Sequence, residues 1–188
     1  MRLSHSHICV PKIGESMNGD AVVVRHEGQH MLIAVVDALG HGPGAALAAG
    51  VAVEELNAVP LDKSVQWVIE RVHDKLHGTR GAAAMVCLWN GHKLQGCSVG
   101  NVEMRSRGTR VPVMLTPGIL GARVRSYRIF ESTLAHSDRL VIFSDGISSH
   151  LSIDEMHRLS PREACQAIMD RYRRNHDDAT VLVADVEA

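Results

Sequence analysis

In the first half of the chain, runs of β-branched apolar residues are followed by apolar residues at helical spacing. Apolar runs at 21–25 and 31–36 predict two buried strands, and the turn at Glu27-Gly28 between them makes the strands antiparallel neighbours. An Ala-rich segment at 45–59, stopped by Pro60, predicts a mostly buried helix. Apolar residues at helical spacing predict a second helix at 63–77, with Asp62 as its N-cap.

The second half is mostly strands, followed by one helix and a closing strand. Asn90-Gly91 joins two apolar runs and is typical of a β-hairpin. Ser160-Pro161 precedes a helix predicted at 162–174. The predicted strands are 82–89, 93–99, 102–107, 127–134, 139–143 and 180–186. Because strands and helices are grouped rather than alternating, the pattern favours an α+β fold of antiparallel sheets with helices outside them.

Composition narrows the range of functions. The chain of 188 residues has 45% hydrophobic residues, which suits one domain spanning 1–188. Aromatic residues make up 3% and the formal net charge is −1, so neither a nucleic-acid platform nor membrane attraction is expected. The four cysteines form no C-x-x-C pair, and no apolar run approaches the ~20 residues of a membrane span. We expect a cytoplasmic monomer with reduced thiols.

Four aspartates share one context, at the ends of predicted strands. Asp37 and Asp145 directly follow buried strands and precede glycines, while Asp20 and Asp177 stand just before strands. In antiparallel sheets the ends and starts of alternate strands lie at the same edge, so the four carboxylates can converge. Hard oxygen ligands without cysteine or histidine favour two Mg²⁺ or Mn²⁺ ions. The alternative at each position is an aspartate that only forms a turn.

Histidines offer a weaker case for a metal. His73 and His77 are four residues apart on a predicted helix, a spacing that zinc sites use. No acid or cysteine completes this set, which favours surface residues over a metal site. His5 and His7, near the start of the chain, are expected to be solvated.

Five short motifs occur in order along the chain. They are Asn18-Gly19-Asp20, Asp37-Ala38-Leu39-Gly40-His41-Gly42, Gly100-Asn101, Ser144-Asp145-Gly146 and Asp177-Asp178-Ala179-Thr180. Together they resemble the ordered motifs of the PPM-type metal-dependent serine/threonine phosphatases, and of the bacterial SpoIIE/RsbU/RsbX branch in particular. The resemblance covers about residues 16–186. Within that branch the chain most resembles the RsbX-type stressosome phosphatases, so neither a sensory domain nor a coiled-coil linker is expected.

The resemblance implies a fold and a set of metal ligands. The fold would be an αββα sandwich, two antiparallel β-sheets flanked by helices. Asp37 would bridge two metal ions and the Ala38 carbonyl would bind one of them. Asp145 and Asp177 would bind the other ion, and Asp20 would hold water on the metals.

The same resemblance leaves some roles open. Asp178 would be an auxiliary acid, and His41 is either a general acid or a residue that fixes its loop by hydrogen bonds. Ala38 stands where relatives usually have glycine, which preserves the carbonyl provided that the backbone does not need positive φ. Relatives also keep threonines where this chain has Ala82 and Ala83, so no hydroxyl role is expected there.

A basic segment lies between Met104 and Phe130, with six arginines and no acid. Such a run is either a solvated face or a surface that docks an acidic or phosphorylated protein. The docking candidates are Arg105, Arg107, Arg123 and Arg125.

The resemblance implies hydrolysis of phosphoserine or phosphothreonine on a stressosome scaffold or antagonist protein, by metal-activated water, to reset a stress-signalling switch. No covalent phospho-enzyme is expected, because no cysteine lies in a phosphate-binding loop. Two alternatives remain: a catalytically weak binding module of the same fold, and a metal-dependent hydrolase of small phosphorylated molecules.

Overall fold

Two β-sheets packed face to face, with helices on both outer sides, form the architecture of the protein. The computed structural model describes residues 1–188. The strands are β1 Arg2–Val10, β2 Asp20–Glu27, β3 His30–Ala38, β4 Ala82–Trp89, β5 Lys93–Val99, β6 Glu103–Arg107, β7 Leu115–Thr116, β8 Gly118–Ile119, β9 Arg123–Val124, β10 Ile129–Thr133, β11 Arg139–Phe143 and β12 Ala179–Glu187. The helices are α1 Pro43–Ala58, α2 Val65–Lys75 and α3 Pro161–Tyr172, with a short 3-10 helix at Ile153–Met156.

The larger sheet has the order β10-β5-β4-β3-β2, with β7 added beside β5. Both predicted hairpins are present, since β2 pairs with β3 and β4 pairs with β5 in antiparallel register. The short β7 runs parallel to β5, which departs from a wholly antiparallel sheet. Strands β8 and β9 form a separate small hairpin.

The smaller sheet has the order β1-β12-β11-β6, and all its pairs are antiparallel. Its first strand, β1, was not predicted from the sequence. Polar residues at 4–7, two serines and two histidines, hide the pattern there, and only Leu3 of the strand is fully buried. The strand is specified by its nine-residue pairing with β12 rather than by its own composition.

Three apolar layers hold the sandwich together. One layer lies between the larger sheet and helices α1 and α2, and a second lies between the two sheets. The third lies between the smaller sheet and α3. The predicted αββα arrangement is therefore present, and the packed sheets place strand ends from both of them at one edge.

The helix ends differ from the prediction mainly at α2, which begins later than predicted and ends earlier, at Lys75 rather than 77. Pro60 stops α1 as expected, because the residue before proline avoids the helical conformation, and Val59 is extended. Helix α2 begins later than expected, at Val65, because Ser64 rather than Asp62 is the N-cap and accepts a hydrogen bond from the Trp67 N–H. No helix of the structure has both the length and the apolar character needed to cross a membrane.

Candidate functional site

Asp20 and Asp37 face each other at the open end of the β2–β3 hairpin. Asp20 is the first residue of β2, Asp37 is the penultimate residue of β3, and the two are direct partners in the antiparallel register. Asp20 is only 5% exposed. One of its oxygens accepts a 2.6 Å hydrogen bond from the Ser144 hydroxyl, which comes from the other sheet.

Asp145 and Asp177 reach the same edge from the smaller sheet. Asp145 follows the end of β11, Asp177 precedes the start of β12, and the antiparallel pairing of these strands brings the two positions together. Asp37, Asp145 and Asp177 line one cleft of about 140 Å³. The rest of its lining is Leu39, Gly40, Ala83 and Asn101. The packing of the two sheets thus brings together the aspartates that the sequence placed at strand ends.

Asp37 is the electrostatic centre of this cluster. Burial, followed by repulsion from the other four aspartates (Asp20, Asp145, Asp177 and Asp178), raises its pKa to about 8. Its Oδ2 atom is buried and has no hydrogen-bond partner. A buried carboxylate oxygen with no partner is costly, and a cation is the partner that would relieve both the burial and the repulsion.

Burial also raises the pKa values of the neighbouring acids. The pKa of Asp20 is raised to about 7, chiefly by burial, although hydrogen bonds from Ser144 and Thr180 oppose the change. The pKa of Asp145 is raised by burial and then by the nearby Asp177 carboxylate. The cleft is lined by carboxylates and has no histidine or cysteine, so the donor set fits Mg²⁺ or Mn²⁺ better than zinc.

Asp178 differs from the other acids in that both its oxygens are already in use. They accept hydrogen bonds from the backbone N–H groups of Lys12, at 2.7 Å, and Gly19, at 2.8 Å. Asp178 is only 3% exposed, and these two bonds tie the segment before β2 to the start of β12. This geometry suits the auxiliary role rather than that of a direct metal ligand.

The backbone at Ala38 does not adopt the positive φ that would require glycine, since Ser137 is the one non-glycine residue that does. Ala38 lies in β3, where its N–H donates to the carbonyl of Gly19 at 3.0 Å. Alanine in place of the usual glycine is thus compatible with the local conformation.

His41 lies on the exposed loop after β3, and both its ring nitrogens have partners. Nδ1 is 2.8 Å from the Glu15 carboxylate and Nε2 is 3.0 Å from the Lys12 amine. The Lys12 backbone N–H in turn bonds to Asp178. These contacts fix the loop against the segment before β2, which is the second of the two roles considered for this residue.

Several residues that support the acids were not assigned a role from the sequence. The Asn101 side chain donates a 2.6 Å hydrogen bond to Asp145, so it is more than a turn residue. Arg174 donates to the Asp145 carbonyl at 3.1 Å. The Ser144 hydroxyl both donates to Asp20 and accepts from the Thr180 N–H. The motifs contain three of these residues, but their partners depend on how the sheets pack.

Arg80 was also missed. Its guanidinium lies over the glycine loop, where a Cβ on Gly44 would come within 2.5 Å of Nε. One of its terminal nitrogens donates to the His41 carbonyl at 3.4 Å, and no carboxylate pairs with it. Arg80 is therefore a cation held beside Gly40, a residue that lines the acidic cleft.

The four arginines proposed for docking fall into two pairs. Arg105 lies 3.0 Å from the Glu103 carboxylate and Arg107 lies 3.4 Å from that of Asp154. Arg123 and Arg125 have no acidic partner, and both line a cleft near the β8–β9 hairpin. Of the four docking candidates, only Arg123 and Arg125 are therefore free of an ion pair within the chain.

His73 lies on α2, but His77 lies in the turn just after it, and an acid stands beside the pair, contrary to expectation. One ligand atom each from His73, Asp74 and His77 lies within 4.8 Å of the others. Nδ1 of both histidines already contacts the backbone of Gly121, so the pair anchors that loop.

Comparisons with known proteins agree with the fold. Phosphoserine phosphatase RsbX of Bacillus subtilis (strain 168) is 27% identical over 142 residues, which are 73% of this chain and 71% of that protein. The crystal structure of RsbX in complex with magnesium superposes with a TM-score of 0.85 at 20% identity, covering 97% of this chain and 94% of that one.

A second solved structure is described as the bacterial stressosome, a modular system adapted to control secondary messenger signaling. One of its chains superposes with a TM-score of 0.90 at 30% identity, over 98% of this chain and 100% of that one. The family model of Stage II sporulation protein E (SpoIIE) matches residues 27–187. The chain therefore belongs to the SpoIIE family, and its sandwich carries an aspartate cluster suited to divalent metal ions.

Proposed function

We propose that this protein is a metal-dependent phosphatase that removes phosphate from phosphoserine or phosphothreonine on a protein. The observation that carries the proposal is the convergence of Asp20, Asp145, Asp177 and Asp178 on Asp37, whose buried Oδ2 has no partner. Membership of the SpoIIE family and the likeness to the phosphoserine phosphatase RsbX support the same reaction.

Two ions, Mg²⁺ or Mn²⁺, would be held by the carboxylates of Asp37, Asp145 and Asp177, with the Ala38 carbonyl as a further oxygen ligand and Asp20 behind them. Bound there, the ions would supply a water of lowered pKa and neutralise charge on the phosphoryl group. Asn101 fixes the orientation of the Asp145 carboxylate through its 2.6 Å hydrogen bond. Asp178 does not need to touch a metal in this arrangement, since it holds the surrounding backbone.

Arg80 is the residue placed to hold the substrate phosphate. It is a cation beside the glycine loop with no acidic partner, and a guanidinium binds two phosphate oxygens in parallel. Its contact with the first turn of α1 keeps it near the cleft. Exchange of Arg80 for alanine is expected to raise KM for phosphorylated substrates.

The state of the thiols argues against a phospho-cysteine intermediate and so supports direct hydrolysis. Burial raises the pKa of Cys9 and of Cys165 to about 11, and also raises the pKa values of Cys87 and Cys97. All four thiols are therefore protonated near neutral pH and are poor nucleophiles. None of them lines the acidic cleft.

For the substrate, we propose a phosphorylated stressosome scaffold or antagonist protein, on which the phosphatase acts as a monomer. The likeness to a chain of a stressosome structure supports this context. The two alternatives are less well supported. A degenerate binding module would not need five aspartates around an unpaired carboxylate oxygen, and the backbone at Ala38 tolerates its side chain.

The test is phosphate release from a phosphoserine protein, measured with Mn²⁺ and with EDTA, for the wild type and Asp37→Asn. The proposal expects release that requires both the metal and Asp37. Release that is equal in EDTA, or unchanged in Asp37→Asn, would overturn it. A small phosphate ester measured in parallel tests the small-molecule alternative, which predicts that competing phosphoprotein leaves turnover of the ester unchanged.

A further inference from the structure

Three arginines with no acidic partner share a cleft beside the β8–β9 hairpin. Arg123, Arg125 and Arg128 line it together with Pro117, Gly118 and Ser126, and its volume is about 430 Å³. No ion pair involves any of these three guanidinium groups, although Arg105 and Arg107 from the same basic segment are both paired. Three neighbouring positive charges repel one another, so the cleft favours an anionic occupant.

The backbone holds this arginine cleft in shape. Gly118 pairs with Val124 and Ile119 with Arg123, so the hairpin carries Arg123 directly. The Arg128 backbone N–H donates to the buried Thr116 hydroxyl at 2.9 Å, and its guanidinium donates to the Leu115 carbonyl at 3.1 Å. Less side-chain and backbone freedom is then lost when an anion binds.

Two sets of backbone contacts join the arginine cleft to the acidic cleft. Leu120, in the hairpin turn, exchanges both backbone hydrogen bonds with Ala82, whose neighbour Ala83 lines the acidic cleft. The Gly100 N–H donates to the carbonyl of Thr116, just before Pro117 of the arginine cleft, at 3.0 Å, and the residue after Gly100, Asn101, bonds to Asp145. The arginine cleft is thus fixed next to the proposed site of hydrolysis.

From this arrangement we infer that the arginine cleft binds acidic residues that flank the phosphorylated serine or threonine of the protein substrate. The inference rests on the proposed phosphatase function and adds the kind of sequence that the enzyme prefers. An extended peptide advances about 3.3 Å per residue, so a phosphoserine in the acidic cleft places residues a few positions away at the hairpin. Carboxylate side chains there would pair with guanidinium groups that have no partner in this chain.

The experiment compares phosphoserine peptides that carry either three glutamates or three glutamines on one side of the phosphoserine, with each side tested in turn. The enzymes are the wild type, the double variant Arg123→Ala/Arg125→Ala, and Arg162→Ala as a control for loss of an exposed arginine elsewhere. Arg162 is exposed on α3, which packs against the other sheet. Its exchange for alanine removes one positive charge at a residue that lines neither cleft. Turnover of a small phosphate ester checks that each variant is folded and active.

For the wild type we expect a KM about tenfold lower for one glutamate peptide than for its glutamine counterpart, with similar kcat. The double variant is expected to lose that preference while its turnover of the small ester stays at the wild-type level, and Arg162→Ala is expected to keep it. Equal KM values for glutamate and glutamine peptides in the wild type would overturn the inference. So would a preference that survives in the double variant.

Failure of the inference is separable from failure of the proposed function. Metal-dependent hydrolysis of the glutamine peptide, lost in Asp37→Asn, establishes the phosphatase whatever the flanking preference is. Added inorganic sulfate is expected to raise KM for the glutamate peptide more than for the glutamine peptide. Sulfate that competes with the phosphoserine affects both peptides alike, whereas sulfate in the arginine cleft displaces only the glutamates.

Discussion

Asp20 and Asp37 are direct cross-strand partners at the open end of one hairpin, where Asp20 is buried, Asp37 is half-buried and both carboxyl groups have raised pKa values. Like charges placed directly opposite each other destabilise a strand pair. Three more aspartates surround this pair, and their mutual repulsion destabilises the folded state. A divalent cation bound among them would remove that repulsion.

The first prediction concerns the pH dependence of stability in the metal-free protein. The folded pKa of Asp37, about 8, lies above its ordinary value of 3.8. Between these values the folded state holds a proton that the unfolded chain has released, so stability falls as pH rises through this window. Asp37→Asn removes this effect. In EDTA we expect the variant to gain on the wild type as pH rises from 5 to 9, by on the order of 2 kcal/mol at pH 8.

Denaturant unfolding at several pH values measures this difference. Asp154→Asn serves as a control, because Asp154 is exposed and pairs only with Arg107. Its difference from the wild type provides the baseline for an exposed aspartate. Saturating Mn²⁺ is expected to reverse the order, so that the wild type becomes more stable than Asp37→Asn. A pH-independent difference between the two in EDTA would contradict the account of the cluster.

The second prediction concerns Asp178 as a structural anchor. Exchange for alanine leaves the backbone N–H groups of Lys12 and Gly19 without their acceptors, in a buried place. We expect a loss of about 2–4 kcal/mol in the free energy of unfolding, in EDTA as well as with metal. Asp62→Ala, which removes an exposed carboxylate that caps no helix, is expected to change stability by less than ~0.5 kcal/mol. A loss for Asp178→Ala seen only with metal would instead identify a metal ligand.

The third prediction uses two glycines with opposite surroundings. A Cβ on Gly146 would overlap the carbonyl oxygen of Asp178, whereas a Cβ on Gly50 would meet nothing within 4 Å. Gly146→Ala must therefore push the start of β12 away from Asp145 and is expected to cost more than about 3 kcal/mol. Gly50→Ala, inside α1, is expected to stabilise the protein by up to ~1 kcal/mol. Thermal unfolding of the two variants checks both signs.

The fourth prediction separates the two roles of His41. A residue that positions its loop affects all substrates alike, whereas a general acid matters most for a poor leaving group such as the serine alkoxide. Because Glu15 and Lys12 occupy both ring nitrogens, we expect His41→Gln to reduce kcat/KM for a phosphoserine peptide and for nitrophenyl phosphate by a similar factor, below ~10-fold. Glu15→Gln is expected to have a comparable effect. A loss of ~10²-fold or more confined to the peptide would identify a general acid.

Sequence patterns predicted the helices, the strands other than β1 and the short β7, β8 and β9, and the strand-end positions of the aspartates, because these depend on local periodicity and turn residues. The register of the hairpin was not predictable, since it is set by the partner strand, and that register is what makes Asp20 and Asp37 direct partners. Strand β1 was missed because its alternating serines and histidines carry little apolar signal. Ser64 replaced Asp62 as the cap of α2, since both residue types serve equally well from sequence alone.

The supporting contacts of the site were beyond the reach of sequence patterns. Asn101 and Asp145 are 44 positions apart, and Ser144 and Asp20 are 124 apart, so these hydrogen bonds exist only after the two sheets pack. The division of the arginines in the basic segment into paired and unpaired ones also depends on tertiary packing. Arg107 has a partner because the 3-10 helix with Asp154 lies beside β6, whereas no carboxylate lies within ion-pair distance of Arg123.

Binding of Mn²⁺ itself is the most direct test of the central claim, that the aspartate cluster is a metal centre. Titration calorimetry, with electron paramagnetic resonance to count free Mn²⁺, is to be carried out on the wild type, Asp37→Asn and the control Asp154→Asn. We expect two ions per wild-type chain, the same number for Asp154→Asn, and at least ~100-fold weaker binding for Asp37→Asn. Unchanged Mn²⁺ affinity in folded Asp37→Asn, or no binding by the wild type, would contradict the claim.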